Sequence, residues 1–341
     1  MKTSAIEQAV GERLSRFCQQ SRVKAGSLIT SVFGDAVLPR GGRIWLGSLI
    51  NLLQPLDLNE RLVRTTVFRL VKDEWLQTQT MGRRTDYMLT ASGQRRFDEA
   101  ARQIYAADAP LWDRRWRLVM VVGELPARAR ERLRRAFYWQ GFGQLNASCF
   151  VHPGAELSAA FAALESDGMA DLLPQLMPLL AVNPRLGLSA NDADIVQAAW
   201  NLDELAADYG EFVVSYQPIL DALRLSGHGE IGEQEAFLAR TLLIHDFRRL
   251  LLRDPELPEV LLPSAWPGHE ARQLCAEIYR RLLAPSERHL DRHLLLASGE
   301  VPAASTMVGE RFRCADPLSE RSGTEGHAGA GLGSLHPLLM G

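Results

Sequence analysis

The run from Asn59 to Trp75, NERLVRTTVFRLVKDEW, narrows the choice of fold more than any other stretch. At helical spacing it has two faces. Leu62, Val63, Thr66, Val67, Leu70, Val71 and Trp75 make a mostly apolar stripe that can dock on a small core. Arg61, Arg64, Thr65, Phe68, Arg69 and Lys72 make the opposite stripe, which holds four cations and no carboxylate. Solvated helix faces usually mix both signs, because i,i+4 pairs then support the helix. A stripe of one sign therefore points to an anionic partner. Asn59, or Asp57 with Glu60 three residues on, caps the start.

The flanking segments place this helix in a larger plan. An apolar helix is expected over 27–39, ended by Pro39, Gly41 and Gly42, and another over 44–53, ended by Pro55. After Trp75 the strand-forming runs LQTQT and TDYML are joined through Met81-Gly82-Arg83-Arg84 as a hairpin. Short helices followed by a β-hairpin with arginines at its tip form a winged helix-turn-helix. In that plan the basic helix enters the major groove with its N-terminal half. Arg61, Arg64 and Thr65 then face base edges, and arginine is the usual partner of guanine. Phe68 can touch thymine methyls or close over the hairpin. Arg83 and Arg84 reach phosphates or the adjacent minor groove.

Charge distribution agrees. The net charge of −3 over 341 residues conceals a polarity. Residues 1–140 hold 24 Lys+Arg against 14 Asp+Glu, and residues 141–341 hold 14 against 27. A basic front half and an acidic back half fit an anion-binding module joined to a part with another task. No run approaches the ~18 continuous apolar residues of a membrane span, and the N-terminus, with Glu7 and Glu12, lacks a secretory pattern. Cys18, Cys149, Cys275 and Cys314 lie far apart without a CxxC, so a reducing, cytoplasmic setting is expected.

The remaining chain divides as follows. Residues 4–20 read as an amphipathic helix and 92–105 as a charged one. WRLVMVVGELP (116–126) reads as a strand buried on both faces, followed by an Arg-rich helix, a strand over 146–154, a further helix and a strand in LLPQLMPLLAV. This is a small ferredoxin-like α/β unit. From Asp192 the pattern is helical, and 299–341 reads as a disordered tail. The fold class is α+β, with a winged-helix unit over 20–106, the ferredoxin-like unit over 111–191, a helical unit over 192–298 and the tail.

Long motifs also resemble a known family, the PaaX-type repressors of phenylacetate catabolism. They include SLITSVFGDAVLPRGGRIWLGSLI (27–50), LNERLVRTTVFRLVKDEWL (58–76), GRRTDYMLTASGQRRF (82–97) and HDFRRLLLRDPELPEVLLPSAWPGHEARQL (245–274), within a match over roughly 20–295. The resemblance implies a winged helix, a middle domain similar in fold to the CRISPR-associated Cas2 proteins, and a helical C-terminal domain. It also implies a cytoplasmic homodimer on a palindromic operator in double-stranded DNA, released by the effector phenylacetyl-coenzyme A, with no cofactor.

The nuclease-like middle fold raises metal-dependent phosphodiester cleavage, which needs carboxylates at the end of the first strand. That strand runs into Val121-Val122-Gly123-Glu124 without an aspartate, so no catalysis is expected. An activator or dual regulator shares every DNA-binding feature. His289 and His293 have a zinc-ligand spacing, with no third ligand at matching spacing. An acyl-coenzyme A needs cations for its phosphates and an apolar slot for its ring. His245, Arg248, Arg249 and Arg253, beside the loop of Trp266 and His269, are the candidates; Arg128, Arg130, Arg132, Arg134 and Arg135 compete with them. The alternative is that the 248–253 arginines pair with the acidic excess of the back half.

Overall fold

The structure is a computed structural model that describes residues 4–19, 25–106, 109–184, 186, 189–225 and 231–313. Helix α1 (Ala5–Cys18) opens the chain, with Ser4 and Glu7 forming a reciprocal cap. Helix α2 (Ala25–Val32) runs through a π turn into the 3-10 turn Leu38–Arg40, where Gly41 takes a left-handed conformation (φ +84°). The expected helix over 44–53 starts later: Arg43–Trp45 is a short strand, β1, and helix α3 covers Leu46–Leu53. Helix α4 (Glu60–Lys72), strand β2 (Leu76–Met81), strand β3 (Arg84–Leu89) and helix α5 (Ala91–Ile104) complete the first unit. Its sheet is antiparallel in the order β1-β3-β2.

The middle unit is built from β4 (Trp116–Val121), α6 (Ala127–Trp139), β5 (Gly143–Asn146), β6 (Cys149–His152), α7 (Leu157–Ser166) and β7 (Leu176–Ala181). The strand order β5-β6-β4-β7, all antiparallel, with both helices between strands, is the ferredoxin-like arrangement. Two expectations change here. The single strand over 146–154 is the second arm of a hairpin, because Ala147 and Ser148 form its turn. Strand β4 is covered on both faces only over its first half: Val119 is buried against α6 and α7, and on the other face Trp116 and half-buried Leu118 pack with Val196, Leu257 and Leu261, whereas Met120 and, beyond the strand, Val122 are 40% and 54% exposed. Antiparallel sheets permit one open face, and a run of apolar residues does not distinguish the two cases.

Helices α8 (Asp192–Ala199), α9 (Leu202–Leu225), α10 (Glu233–Leu251) and α11 (Pro267–His293) form the helical unit. Its core recruits Ile6 and Val10 of α1, so the chain's first helix packs far from its sequence neighbours. The first unit's core in turn takes Phe237, Leu238 and Leu242 from α10 and Leu290 and Leu294 from the end of α11.

The proposed tail is ordered through residue 313; the rest of it, with Cys314, lies outside the described residues. Thr306–Glu310 forms a 3-10 turn, Phe312 is buried, and Arg311 reaches Asp35. Asp35 is itself 4% exposed. Its carboxylate accepts from Arg240 Nε (2.8 Å), Arg311 Nη1 (2.8 Å), Tyr105 Oη (2.6 Å) and Tyr279 Oη (3.1 Å). Burial alone would raise its pKa; the two guanidiniums and the Tyr105 hydroxyl prevail and hold it below the usual carboxylate value. Arg240 also reaches Glu287. Four separate segments thus close on one carboxylate.

Candidate nucleic-acid interface

Helix α4 begins where Asn59 Oδ1 accepts from Leu62 N (2.9 Å). Val63, Thr66, Val67 and Leu70 are buried, as is Trp75 beyond the helix end; Val71 is half-buried and Leu62 is at the margin, 37% exposed. Arg61, Arg64, Thr65, Phe68, Arg69 and Lys72 all face solvent, with Phe68 70% exposed. Phe68 therefore does not close over the hairpin. The Thr65 hydroxyl donates to Arg61 O (2.8 Å), which leaves its two lone pairs free to accept.

The basic face is less uniform than its spacing implied. Arg64 is paired with Glu60 one turn earlier (2.7 Å, both ends exposed), so a carboxylate does border the stripe. Among the described residues Arg61, Arg69 and Lys72 have no side-chain partner. At the hairpin, Met81 pairs with Arg84, leaving Gly82 (φ +59°) and Arg83 as a two-residue turn. The two tip arginines differ. Arg83 projects without a partner among the described residues, whereas the Arg84 guanidinium lies 4.7 Å from the centre of the Trp45 ring. Trp45 belongs to the short strand hidden in an apolar run, so sequence spacing gave no signal for this platform. The hairpin is braced from behind: Arg43 Nε donates to buried Asp86 (2.7 Å), whose other oxygen accepts from Ala297 N (2.6 Å). The hairpin is therefore tied to the segment that follows α11.

The six residues proposed for an effector are not brought together. His245 and Arg248 face inward, at 3% and 4% exposure, against α2. Arg248 donates to Ser27 O (2.9 Å), Ser27 Oγ (2.5 Å) and Ser31 Oγ (3.1 Å), and His245 Nδ1 lies 3.2 Å from Ser31 Oγ. Burial drives the His245 pKa down to about 4 and that of Arg248 down to about 10. These two side chains fasten the helical unit to the first unit. Arg253 pairs with Glu204 (2.8 Å) and Asp208, so the acidic back half claims it as the alternative reading held. Trp266 is buried edge-on against Tyr209, and His269 is 3.6 Å from Glu259. Arg249 is exposed. Of the competing arginines, Arg134 and Arg135 share Glu131, and Arg132 donates to Gly168 O.

His289 stacks on Phe237, and its ring centre is 4.4 Å from that of His293. Among the described residues no group of three or more His, Cys, Asp or Glu side chains is placed to hold a metal ion. Glu124 stands exposed in the loop after β4. No helix among the described residues is long and apolar enough to cross a membrane.

Comparisons with known proteins fit this arrangement. Residues 24–93 match the PaaX-like protein family, residues 109–175 the PaaX protein central Cas2-like domain, and residues 200–292 the PaaX-like protein C-terminal domain. The transcriptional repressor PaaX of Escherichia coli (strain K12) is 37% identical over 293 residues, covering 85% of this chain and 90% of the relative. Among solved structures, the uncharacterized protein Rv0674 from Mycobacterium tuberculosis aligns with a TM-score of 0.44 and 21% identity, over 70% of this chain and 90% of that one. With three domain matches in order and a relative this similar over nearly its whole length, the chain belongs to the PaaX family.

Proposed function

We propose that this chain is a cytoplasmic transcriptional repressor of phenylacetate catabolic genes. Its first unit acts as a winged helix-turn-helix, and the protein works as a homodimer on a palindromic operator and is released by phenylacetyl-coenzyme A. The observation that carries this reading is the outer face of α4: a capped helix presenting Arg61, Arg64, Arg69 and Lys72 to solvent beside a hairpin that ends in unpartnered Arg83. Phosphate contacts from such cations supply affinity, and the N-terminal half of the helix supplies base readout. Membership of a family that includes a transcriptional repressor supports the same direction. No catalysis is assigned, because β4 leads to an isolated Glu124. Release requires that the effector bind one arrangement of the protein more tightly than the DNA-bound arrangement.

The test is a gel-shift titration with the DNA upstream of the protein's own gene. A retained band, lost on adding phenylacetyl-coenzyme A and kept with free phenylacetate, is the expected result. A complex that forms equally on a scrambled fragment, or that ignores the thioester, overturns the reading.

A further inference from the structure

A cleft of about 200 Å³ opens where the three units meet, between the end of α6, the end of β6 and the loop that follows α10. Whole small-molecule sites usually measure roughly 300–1,000 Å³, so this space suits one end of a larger ligand. One side of it is aromatic and apolar: Phe142 is buried, Trp200 is half-buried, and Tyr138 (53% exposed) and Leu111 (98% exposed) line it near solvent. An exposed ring and a bare leucine at the mouth of a cleft mark a surface shaped for contact.

The half-buried imidazole of His152 lines this space. His152 Nδ1 accepts from two backbone N–H groups, Gly154 (2.8 Å) and Ala155 (2.7 Å). The ring's proton therefore sits on Nε2. Among the described residues nothing accepts from Nε2. Burial lowers the His152 pKa to about 4, so the ring is neutral near pH 7. The edge that carries this N–H lies against Gly141, where a Cβ would come within 3.1 Å of Nε2. Gly141 has φ +79°, and its carbonyl accepts from Trp200 Nε1 (3.1 Å). Only glycine leaves that approach open.

The charges around the cleft select among ligands. Glu156, Asp254 and Glu256 line it, while Arg253, which also lines it, is held by Glu204 and Asp208. A free carboxylate or a phosphate would meet like charge here; a neutral carbonyl would not. Glu256 is also held at φ +49°, a conformation costly for a non-glycine residue. Its side chain accepts from Gln103 Nε2 (3.1 Å), which lies on α5, the helix leading out of the hairpin. A ligand in the cleft therefore touches the loop that is hydrogen-bonded to the DNA-proximal unit.

We infer that this cleft binds the aryl-acyl end of an acyl thioester, with the ring among Tyr138, Phe142 and Trp200 and the carbonyl oxygen accepting from His152 Nε2. The inference rests on the proposed effector class and places it at residues other than those the sequence nominated. The thioester carbonyl is neutral, so the site accepts it and excludes the parent acid. The charged coenzyme remains outside the cleft.

Isothermal titration of the full chain with phenylacetyl-coenzyme A, acetyl-coenzyme A, free coenzyme A and phenylacetate tests this. His152→Asn keeps an acceptor where Nδ1 stood and withdraws the Nε2 donor; Tyr138→Ala removes a solvent-facing ring with little consequence for folding. The wild type should bind phenylacetyl-coenzyme A best, and each variant should bind it about tenfold more weakly, the scale of one hydrogen bond or ring contact. Unchanged melting temperature and unchanged DNA binding without ligand should accompany that loss. If the wild type binds the thioester and both variants match it, the cleft is overturned while the effector reading stands. If phenylacetate binds as tightly as the thioester, the ligand class is overturned. If none of the four compounds binds, the cleft's ligand and the effector reading fall together.

Discussion

Replacing Arg83 with alanine removes a single unpartnered cation from the tip of the hairpin and should act on every DNA sequence alike. The size of the effect follows from the cations that the structure leaves free. Arg61, Arg69, Lys72 and Arg83 have no side-chain partner among the described residues, whereas Arg64 is held by Glu60 and Arg84 lies over Trp45. In the proposed homodimer four such groups per subunit would neutralise roughly eight phosphates, giving a slope of log K against log[salt] of about −7. Arg83→Ala removes one group per subunit and should shallow that slope by about 1.8. Arg64→Ala should instead relax sequence preference, by about 1–3 kcal/mol at one base pair, with a smaller change of slope. Fluorescence anisotropy over a series of KCl concentrations, on the upstream fragment and on a scrambled one, measures both quantities. An unchanged slope for Arg83→Ala, or indistinguishable behaviour of the two variants, would refute the division between phosphate and base contacts.

Three further outcomes are expected. Glu60→Gln frees Arg64 and removes the carboxylate bordering the basic face, so binding to all sequences should tighten several-fold at low salt and less at high salt; weaker binding would contradict that geometry. Asp35→Ala strands Arg240 and Arg311 without their shared anion and should cost roughly 3–5 kcal/mol, seen as a melting temperature lower by on the order of 10 °C. His152 and His245, each lowered to about 4 by burial, stay neutral in the folded chain while the unfolded chain takes up protons below about pH 6.5. Stability should therefore fall as pH drops from 7.5 to 5.5, by about 1–3 kcal/mol, and a melting temperature flat over that range would count against it. Asp35, with its lowered pKa, contributes fully at those pH values and begins to matter only below about pH 4, where stability falls further.

The sequence was most legible where local pattern and fold agree. The two faces of α4, its Asn59 cap and the Thr-rich arms of the hairpin all follow from spacing within about thirty residues. Reading became less sure where the deciding partner is distant. Ile44 and Trp45 look like the start of an apolar helix, and become strand because β3 pairs with them. Arg248 looks like a ligand cation, and is taken by Ser27 and Ser31 some two hundred residues earlier. Residues 299–313 have the composition of a tail, yet Arg311 and Phe312 fit a site prepared by Asp35, Tyr105 and Tyr279. The Glu60–Arg64 pair was visible at i,i+4 and changes the weight of Arg64, since one of the four cations arrives already accompanied. His152 sits in a strand end without a motif, and only the fold reveals which of its nitrogens is left over.

The closure on Asp35 has a consequence for how the protein is made. Its donors lie on residues 105, 240, 279 and 311, so a chain growing from the N-terminus buries this carboxylate with successive guanidiniums and hydroxyls, the last arriving only with residue 311. A nascent or prematurely stopped chain that lacks residue 311 keeps an under-neutralised acid between α2 and α5, beside the helices that support the hairpin. Full neutralisation of a carboxylate in the first unit thus waits on a residue that follows the whole helical unit.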